Sequence, residues 1–224
     1  TTHQISHYEN EKFDKYSLIH NSVLHLAVDK KGDLWIGTRS GLSYLNFDRL
    51  AFGYITENDI PKKSLNNGEV YVFWEDAQDR LWMGTESGGI NILNQNTQTI
   101  TYLTTNDGLA TNCVKAIGSD NSGNVLIGTY LGGLNVYNPR TGKITILKHN
   151  YNDLTSLSDN EVWCITKDSR NRIWIGTSKG MDLYNDHTQT FEHFGPKYNL
   201  ELVSMIYEDS RNNLWVFSPD VDRM

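Results

Sequence analysis

Leu34-Trp35-Ile36-Gly37-Thr38 recurs along this chain. It returns as Leu81-Trp82-Met83-Gly84-Thr85, as Val125-Leu126-Ile127-Gly128-Thr129 and as Ile173-Trp174-Ile175-Gly176-Thr177, with a degraded fifth copy at Leu214-Trp215-Val216-Phe217-Ser218. The central positions 37, 84, 128, 176 and 217 lie 47, 44, 48 and 41 residues apart. A period in the mid-forties has room for one four-stranded sheet and is too long for a leucine-rich or hexapeptide coil.

The residues around the pentapeptide supply the rest of each sheet. An acidic residue precedes every copy: Asp29, Asp76, Asp120, Asp168 and Asp209. Three positions later stands Gly32, Asp79, Gly123, Asn171 or Asn212, residue types that tolerate a left-handed backbone. That spacing predicts a hairpin turn opened by Asp and closed by a left-handed residue. Asp120-Asn121-Ser122-Gly123-Asn124 has too few carboxylates and no closing Glu for a calcium loop. Before each Asp runs a short apolar strand, such as Val70-Tyr71-Val72-Phe73 or Val162-Trp163-Cys164-Ile165, without clean alternation, as in a strand covered on both faces. After each Gly-Thr come a second turn, a third strand, a third turn (clearest at Asn138-Pro139-Arg140-Thr141-Gly142) and an outer strand. Four-stranded antiparallel sheets repeated radially make an all-β fold of β-propeller blades. Trp35, Trp82, Trp174 and Trp215 are then expected to pack between blades, and Leu126 at the same place fits packing rather than chemistry.

The expected layout is an outer strand and loop of a preceding blade over 1–20, blades over 21–63, 64–107, 108–155 and 156–196, and the first two strands of a fifth blade over 197–224. The opening rests on matching Ile5-Ser6-His7-Tyr8 to Ile146-Leu147-Lys148-His149, and Ser17-Leu18 to Ser156-Leu157. An open arc of a larger propeller is expected, with a small closed ring as the alternative. Such an arc exposes two apolar blade faces, which predicts self-association.

Charge and composition narrow the function. The 224 residues carry a net charge of -7, and the basic clusters are pairs such as Lys30-Lys31 and Lys62-Lys63, so no nucleic-acid partner is expected. No apolar run approaches the ~18 residues of a membrane helix, and the N-terminus lacks a signal-peptide pattern. Cys113 and Cys164 occupy corresponding places in adjacent repeats and read as small free thiols, with an inter-blade disulfide as the alternative. The seven His residues are scattered without a His-Glu-x-x-His motif, and no Gly-x-Ser-x-Gly elbow is present. His187 and His193 flank one hairpin and read as surface residues. Glu75-Asp76 and Glu208-Asp209 read as turn residues on the face opposite the mouth. No catalytic residue, metal or cofactor is expected.

The inner Val-x-x-Ile strand, the Asp-x-x-Gly/Asn turn, Leu-Trp-Ile-Gly-Thr, the Gly-Gly or Gly-Leu turn and the Asn-x-x-Thr turn resemble the two-component regulator propeller repeat, from Val23 to Trp215. In that family the repeats form the periplasmic sensor region of hybrid two-component systems. Two seven-bladed propellers, a linking β-sandwich and a membrane helix precede histidine kinase, receiver and DNA-binding domains. Many such proteins recognise oligosaccharides and regulate polysaccharide use. None of the kinase, receiver or helix-turn-helix parts is present here. The resemblance therefore implies a non-enzymatic fragment of a periplasmic sensor whose parent is a histidine kinase of the inner membrane. Contact with the membrane would come only through segments absent from this chain. The implied partners are an oligosaccharide and either the remaining blades or a second copy.

Ligand-binding candidates are the positions where an otherwise regular repeat varies at the expected mouth. In the second turns these are Arg39, Glu86, Tyr130 and Lys179; in the inner strands they are Tyr71, Lys115 and Trp163, beside Leu24 and Ser204. Tyr71 and Trp163 suit stacking on a sugar ring, while Arg39 and Lys179 suit a carboxylate or sulfate. Two alternatives remain: a protein-interaction scaffold, and a lyase resembling the streptogramin lyases. The single inner-strand His25 weighs against the second.

Overall fold

The computed structural model describes residues 6–46, 51–57 and 63–219. The chain divides into two compact units, Thr1–Tyr102 and Leu103–Met224. Unit 1 holds blade 1, with β1 (Val23–Val28), β2 (Leu34–Thr38), β3 (Leu42–Asn46) and β4 (Ala51–Ile55). It also holds blade 2, with β5 (Val70–Glu75), β6 (Arg80–Thr85), β7 (Ile90–Asn94) and β8 (Thr99–Leu103). Unit 2 holds blade 3, with β9 (Val114–Ser119), β10 (Val125–Thr129), β11 (Gly133–Tyr137) and β12 (Ile144–Leu147), and blade 4, with β13 (Val162–Lys167), β14 (Ile173–Thr177), β15 (Gly180–Asn185) and β16 (Thr190–His193). A two-stranded sheet, β17 (Met205–Glu208) and β18 (Leu214–Phe217), follows. Each four-stranded sheet is an antiparallel meander in chain order, as a propeller blade requires. Helix is confined among the described residues to a 3-10 turn, Thr105–Asp107, and one α-helical turn, Gly195–Tyr198.

Each pentapeptide position has a separate physical job. The Trp indole N–H donates to the turn Asp at 2.9 Å in Trp35–Asp29, Trp82–Asp76, Trp174–Asp168 and Trp215–Asp209. The other carboxylate oxygen of that Asp accepts the backbone N–H groups two and four residues on, as in Asp168 with Arg170 and Arg172. Gly32, Asp79, Gly123, Asn171 and Asn212 all take positive φ, as the turn spacing predicts. The Gly lets the next blade approach. A Cβ at Gly37 would meet the Val70 carbonyl at 2.5 Å, and one at Gly176 would meet the Val203 carbonyl at 2.5 Å and Cys164 Sγ at 2.4 Å. The Thr hydroxyl closes the second turn, from Thr38 to Gly41 O at 2.7 Å and from Thr129 to Gly133 O at 2.9 Å.

The core lies between blades. Trp35 of blade 1 packs with Val70 and Phe73 of β5, and Trp174 of blade 4 with Val203 and Ile206. Leu126, Val136, Val162 and Tyr184 fill the space between blades 3 and 4. Two expectations fail here for one reason. Trp215 is 63% exposed, because no described strand follows β18 to cover the face that Trp35 and Trp174 bury. Strand β1 likewise exposes Leu26 and Val28, so it is covered on one face only. Glu75 and Glu208 do more than close turns. They accept backbone N–H groups of the preceding blade, from Lys30 and Ser169.

The opening segment needs a shift of two residues. Asn10 N–H donates to Asn21 Oδ1 as His149 N–H donates to Asn160 Oδ1, and Ser17 repeats the bonds of Ser156 to its own loop. Asn10, not Tyr8, is therefore the equivalent of His149. Ser6 to Tyr8 form no strand, and Ile5 lies outside the described residues. Neither Cys113 nor Cys164 forms a disulfide; both are half-buried, and burial pushes the Cys164 thiol up to about 12.

Tyr184 carries an imperfection of this packing. Its hydroxyl is buried without a hydrogen-bond partner, and burial, with Asp120 and Asp186 nearby, raises its pKa. Removing an unsatisfied buried polar atom is neutral or favourable. Tyr184→Phe is thus expected to leave the melting temperature unchanged or raise it by a few degrees, roughly the effect of 1 kcal/mol; a clear fall in a thermal melt would count against this.

Candidate functional site

All inner strands of complete blades carry an irregularity at one place, near the end where the outer-to-inner connection enters. Pairing shifts between Val23 and His25, between Val70 and Val72, opposite Gly128 and Thr129, and between Val162 and Cys164. The extra residues are Leu24, Tyr71, Lys115 and Trp163. A bulge releases one side chain from the pleat and re-aims it. The variable inner-strand positions are thus the ones the backbone singles out.

Unit 2 gathers several candidates. The Tyr130 ring, on the β10–β11 turn, meets Trp163 edge-to-face with centroids 6.1 Å apart. Trp163 Nε1–H donates to Ser178 Oγ at 2.8 Å. An indole N–H can only donate, so the Ser178 hydroxyl must send its own proton onward, to Glu161 Oε2 at 2.5 Å. This chain fixes the indole plane. Lys179 forms an ion pair with Asp159 at 3.5 Å, and its ammonium stands 5.9 Å from the Tyr151 ring centroid. Tyr151 is strongly exposed and packs edge-to-face on His149 at 4.5 Å. The group therefore combines aromatic rings, one lysine, two carboxylates and a hydroxyl on one end of blades 3 and 4.

The remaining candidates are dispersed. Arg39 is exposed on the β2–β3 turn of unit 1, where Tyr71 and Glu86 are half-buried; Lys115 is half-buried on the β9 bulge of unit 2. The Glu86, Tyr130 and Ser178 backbone N–H groups donate to the carbonyls of Glu69, Cys113 and Glu161. Ser178, not Lys179, is therefore the counterpart of Glu86 and Tyr130. The turns in blades 2 and 3 are one residue longer than in blade 4, which hides this in the sequence.

Two histidines take specific places. His193 Nδ1 lies 2.7 Å from Asp182 Oδ1, and its Nε2 2.9 Å from the Leu154 carbonyl, so it ties β16 to the connection that carries Tyr151. It is not a free surface residue. Burial raises the Asp182 pKa, against the hydrogen bonds from His193 and Ser158 that lower it. His25 is packed against Phe73, and burial lowers its pKa.

Comparison with known proteins follows the fold. Residues 17–40 and 156–179 match the model of the two component regulator propeller. Both matches run from the Ser-Leu pair through the pentapeptide. No curated protein matches the chain. Among solved structures, the extracellular domain of the putative hybrid two component system BT3049 from B. thetaiotaomicron is 27% identical, with a TM-score of 0.76 over 95% of this chain and 28% of that one. The extracellular domain of the putative one component system BT4673 from B. thetaiotaomicron is 24% identical, with a TM-score of 0.74 over 94% of this chain and 28% of that one. The chain thus spans little more than a quarter of these domains. Virginiamycin B lyase from Staphylococcus aureus is 15% identical, with a TM-score of 0.65 over 88% of this chain and 63% of that one, and shares the fold alone. No helix among the described residues is long and apolar enough to cross a membrane. Two segments of the chain are thus similar to the two component regulator propeller, within blades similar in fold to the extracellular domain of a putative hybrid two component system.

Proposed function

We propose that this chain is part of an extracytoplasmic, periplasmic sensor propeller that recognises an oligosaccharide and signals to a histidine kinase domain outside the chain. The observation that carries the reading is Trp163: a bulge-borne indole beside Tyr130, its plane fixed by Ser178 and Glu161. A sugar ring stacks its C–H face on an aromatic ring and offers hydroxyls that both donate and accept. Asp159, Glu161 and Lys179 supply acceptors and a donor beside those rings. Ligand chemistry of this kind needs no cofactor and no catalytic group. The likeness to the extracellular domain of the putative hybrid two component system BT3049 supports this reading. The likeness to a lyase supports no enzymatic reading, since it shows the fold alone.

Calorimetric titration of the chain, and of the complete extracytoplasmic region containing it, against a panel of oligosaccharides tests this. Trp163→Ala is expected to weaken binding by roughly 10- to 100-fold, the scale of a buried aromatic anchor. A protein scaffold is the second reading, favoured by Leu131, Tyr151 and Leu154, all exposed at this end. Binding of a protein partner with no glycan binding would select it.

A further inference from the structure

A cavity of about 440 Å³ opens between blades 1 and 2, within unit 1, whereas the Trp163 cluster belongs to unit 2. Blade 1 contributes Trp35, Tyr44 and Tyr54; blade 2 contributes Leu93 and Ile100. The repeat itself explains the space. Asn94 Oδ1 accepts the N–H groups of Asn96 and Thr97 as Asn185 Oδ1 accepts those of His187 and Thr188, which equates Leu93 with Tyr184 and Ile100 with Phe191. In blade 4 those two rings lie 5.0 Å apart and fill the place against blade 3. Blade 2 puts aliphatic side chains there, and the volume is left open.

The opposite wall is built to keep an aromatic surface. Tyr44 pairs directly with Gly53, and a Cβ at that glycine would fall 2.2 Å from the Tyr44 ring. Any other residue at 53 would lift the ring off β4. Tyr54, next in the strand, lies on the other face of the sheet with Phe52, so Tyr44 and Trp35, with ring centroids 5.3 Å apart, form the aromatic wall. The Trp35 indole N–H is committed to Asp29, so Trp35 offers only carbon to the cavity.

The polar lining is mixed in kind. Lys31 and Lys63 bring ammonium donors. One amide N–H of Gln95 donates to Glu75 Oε1 and one of Gln98 to the Gln95 carbonyl, and each side chain keeps a second N–H and its carbonyl. Aromatic carbon on one wall, with donors and acceptors together around it, matches a ring whose C–H face is apolar and whose hydroxyls do both. The size falls within the roughly 300–1,000 Å³ of small-molecule sites.

We propose that this wedge is a second sugar site, taking a pyranose ring with its apolar face on Tyr44 beside Trp35. It stands independently of the site around Trp163. The test titrates the whole chain with the methyl glycosides of glucose, galactose, mannose and xylose, followed by saturation-transfer NMR and intrinsic fluorescence. The double variant Leu93→Tyr, Ile100→Phe installs the blade 4 rings and closes the space. At least one glycoside is expected to bind Trp163→Ala, in which the first site is weakened, and to bind Trp163→Ala carrying the filling pair about tenfold more weakly or not at all. Lys31→Ala, at an exposed position outside the core, gives a second arm if the filled variant does not fold, and should weaken binding about fivefold. Equal binding after filling or after Lys31→Ala would overturn the proposal. So would loss of binding in Trp163→Ala alone, or no binding of any of the four to the wild type.

Discussion

Trp174→Ala is expected to cost about 3–5 kcal/mol of unfolding free energy, the scale of a large aromatic removed from a core. Trp215→Ala is expected to cost under about 1 kcal/mol. The two residues make the same hydrogen bond, at 2.9 Å to Asp168 and to Asp209, so that bond cancels in the comparison. What differs is packing. Trp174 is 4% exposed, lies among Val203 and Ile206, meets Phe194 edge-to-face at 5.3 Å and has the Arg172 guanidinium 5.0 Å from its ring. Trp215 is 63% exposed. Denaturant unfolding of both variants separates the contributions. Equal losses would mean that the Asp–Trp bond, not contact with the following strand, is what the repeated Trp supplies.

Much of the architecture was legible because it follows a period. Four strands per repeat, the Asp turn and the left-handed residue three positions on all appear where the spacing puts them, since each is a local requirement of a hairpin. The Asp–Trp bond was legible too and went unread: Asp stands six residues before Trp in four copies, and the third keeps Asp120 but has Leu126. There Asn124 Nδ2, 2.6 Å from Asp120 Oδ2, stands where Arg80, Arg172 and Asn213 stand in other copies, and Leu126 supplies no donor in place of the indole. The failures at Trp215 and β1 concern what covers a blade, and a repeat unit does not encode its neighbour's presence.

The candidate site was less legible, for a related reason. Variation within the repeat picked out Tyr71, Lys115 and Trp163, and the bulge gives that variation a physical basis. Glu161, Ser178 and Asp159 were missed, because they lie in turns and connections whose lengths change between copies. One residue of turn length moved the comparison from Ser178 to Lys179. His193 was missed because its partners, Asp182 and Leu154, are 11 and 39 residues away. Irregular segments are where function departs from the scaffold, and there the period gives no register.

Asp168→Asn puts the remaining scaffold interaction to a test that pH can sharpen. Both Asp168 oxygens are fully used. Oδ1 accepts Arg170 and Arg172 backbone N–H groups at 3.0 and 2.9 Å, and Oδ2 accepts Arg172 Nε at 2.6 Å and the Trp174 indole at 2.9 Å. Burial alone would raise the Asp168 pKa, but the bonds from Trp174 and Arg172 outweigh it and the net shift is downward. Asp76 repeats the arrangement with Trp82 and Arg80, and its pKa is lowered too. A folded pKa below the unfolded value stabilises the fold fully above the ordinary carboxylate range, near pH 4, and that contribution disappears as pH falls through the folded pKa. In Asp168→Asn, one oxygen keeps the two backbone bonds, while the amide nitrogen confronts two donors. The expected cost at pH 7 is about 1–3 kcal/mol, the scale of one buried donor, the Trp174 indole, left unsatisfied, since the Arg172 guanidinium is 38% exposed and can turn to water. The gap to wild type should shrink below about pH 4, as the wild-type carboxylate takes up its proton. Asp120→Asn is the control: its Oδ2 meets the Asn124 amide, which can turn its carbonyl toward the new N–H, so the cost should stay under about 1 kcal/mol. Equal costs at 168 and 120, or a gap at 168 that does not change between pH 7 and pH 3, would show that the carboxylate serves only to close its turn.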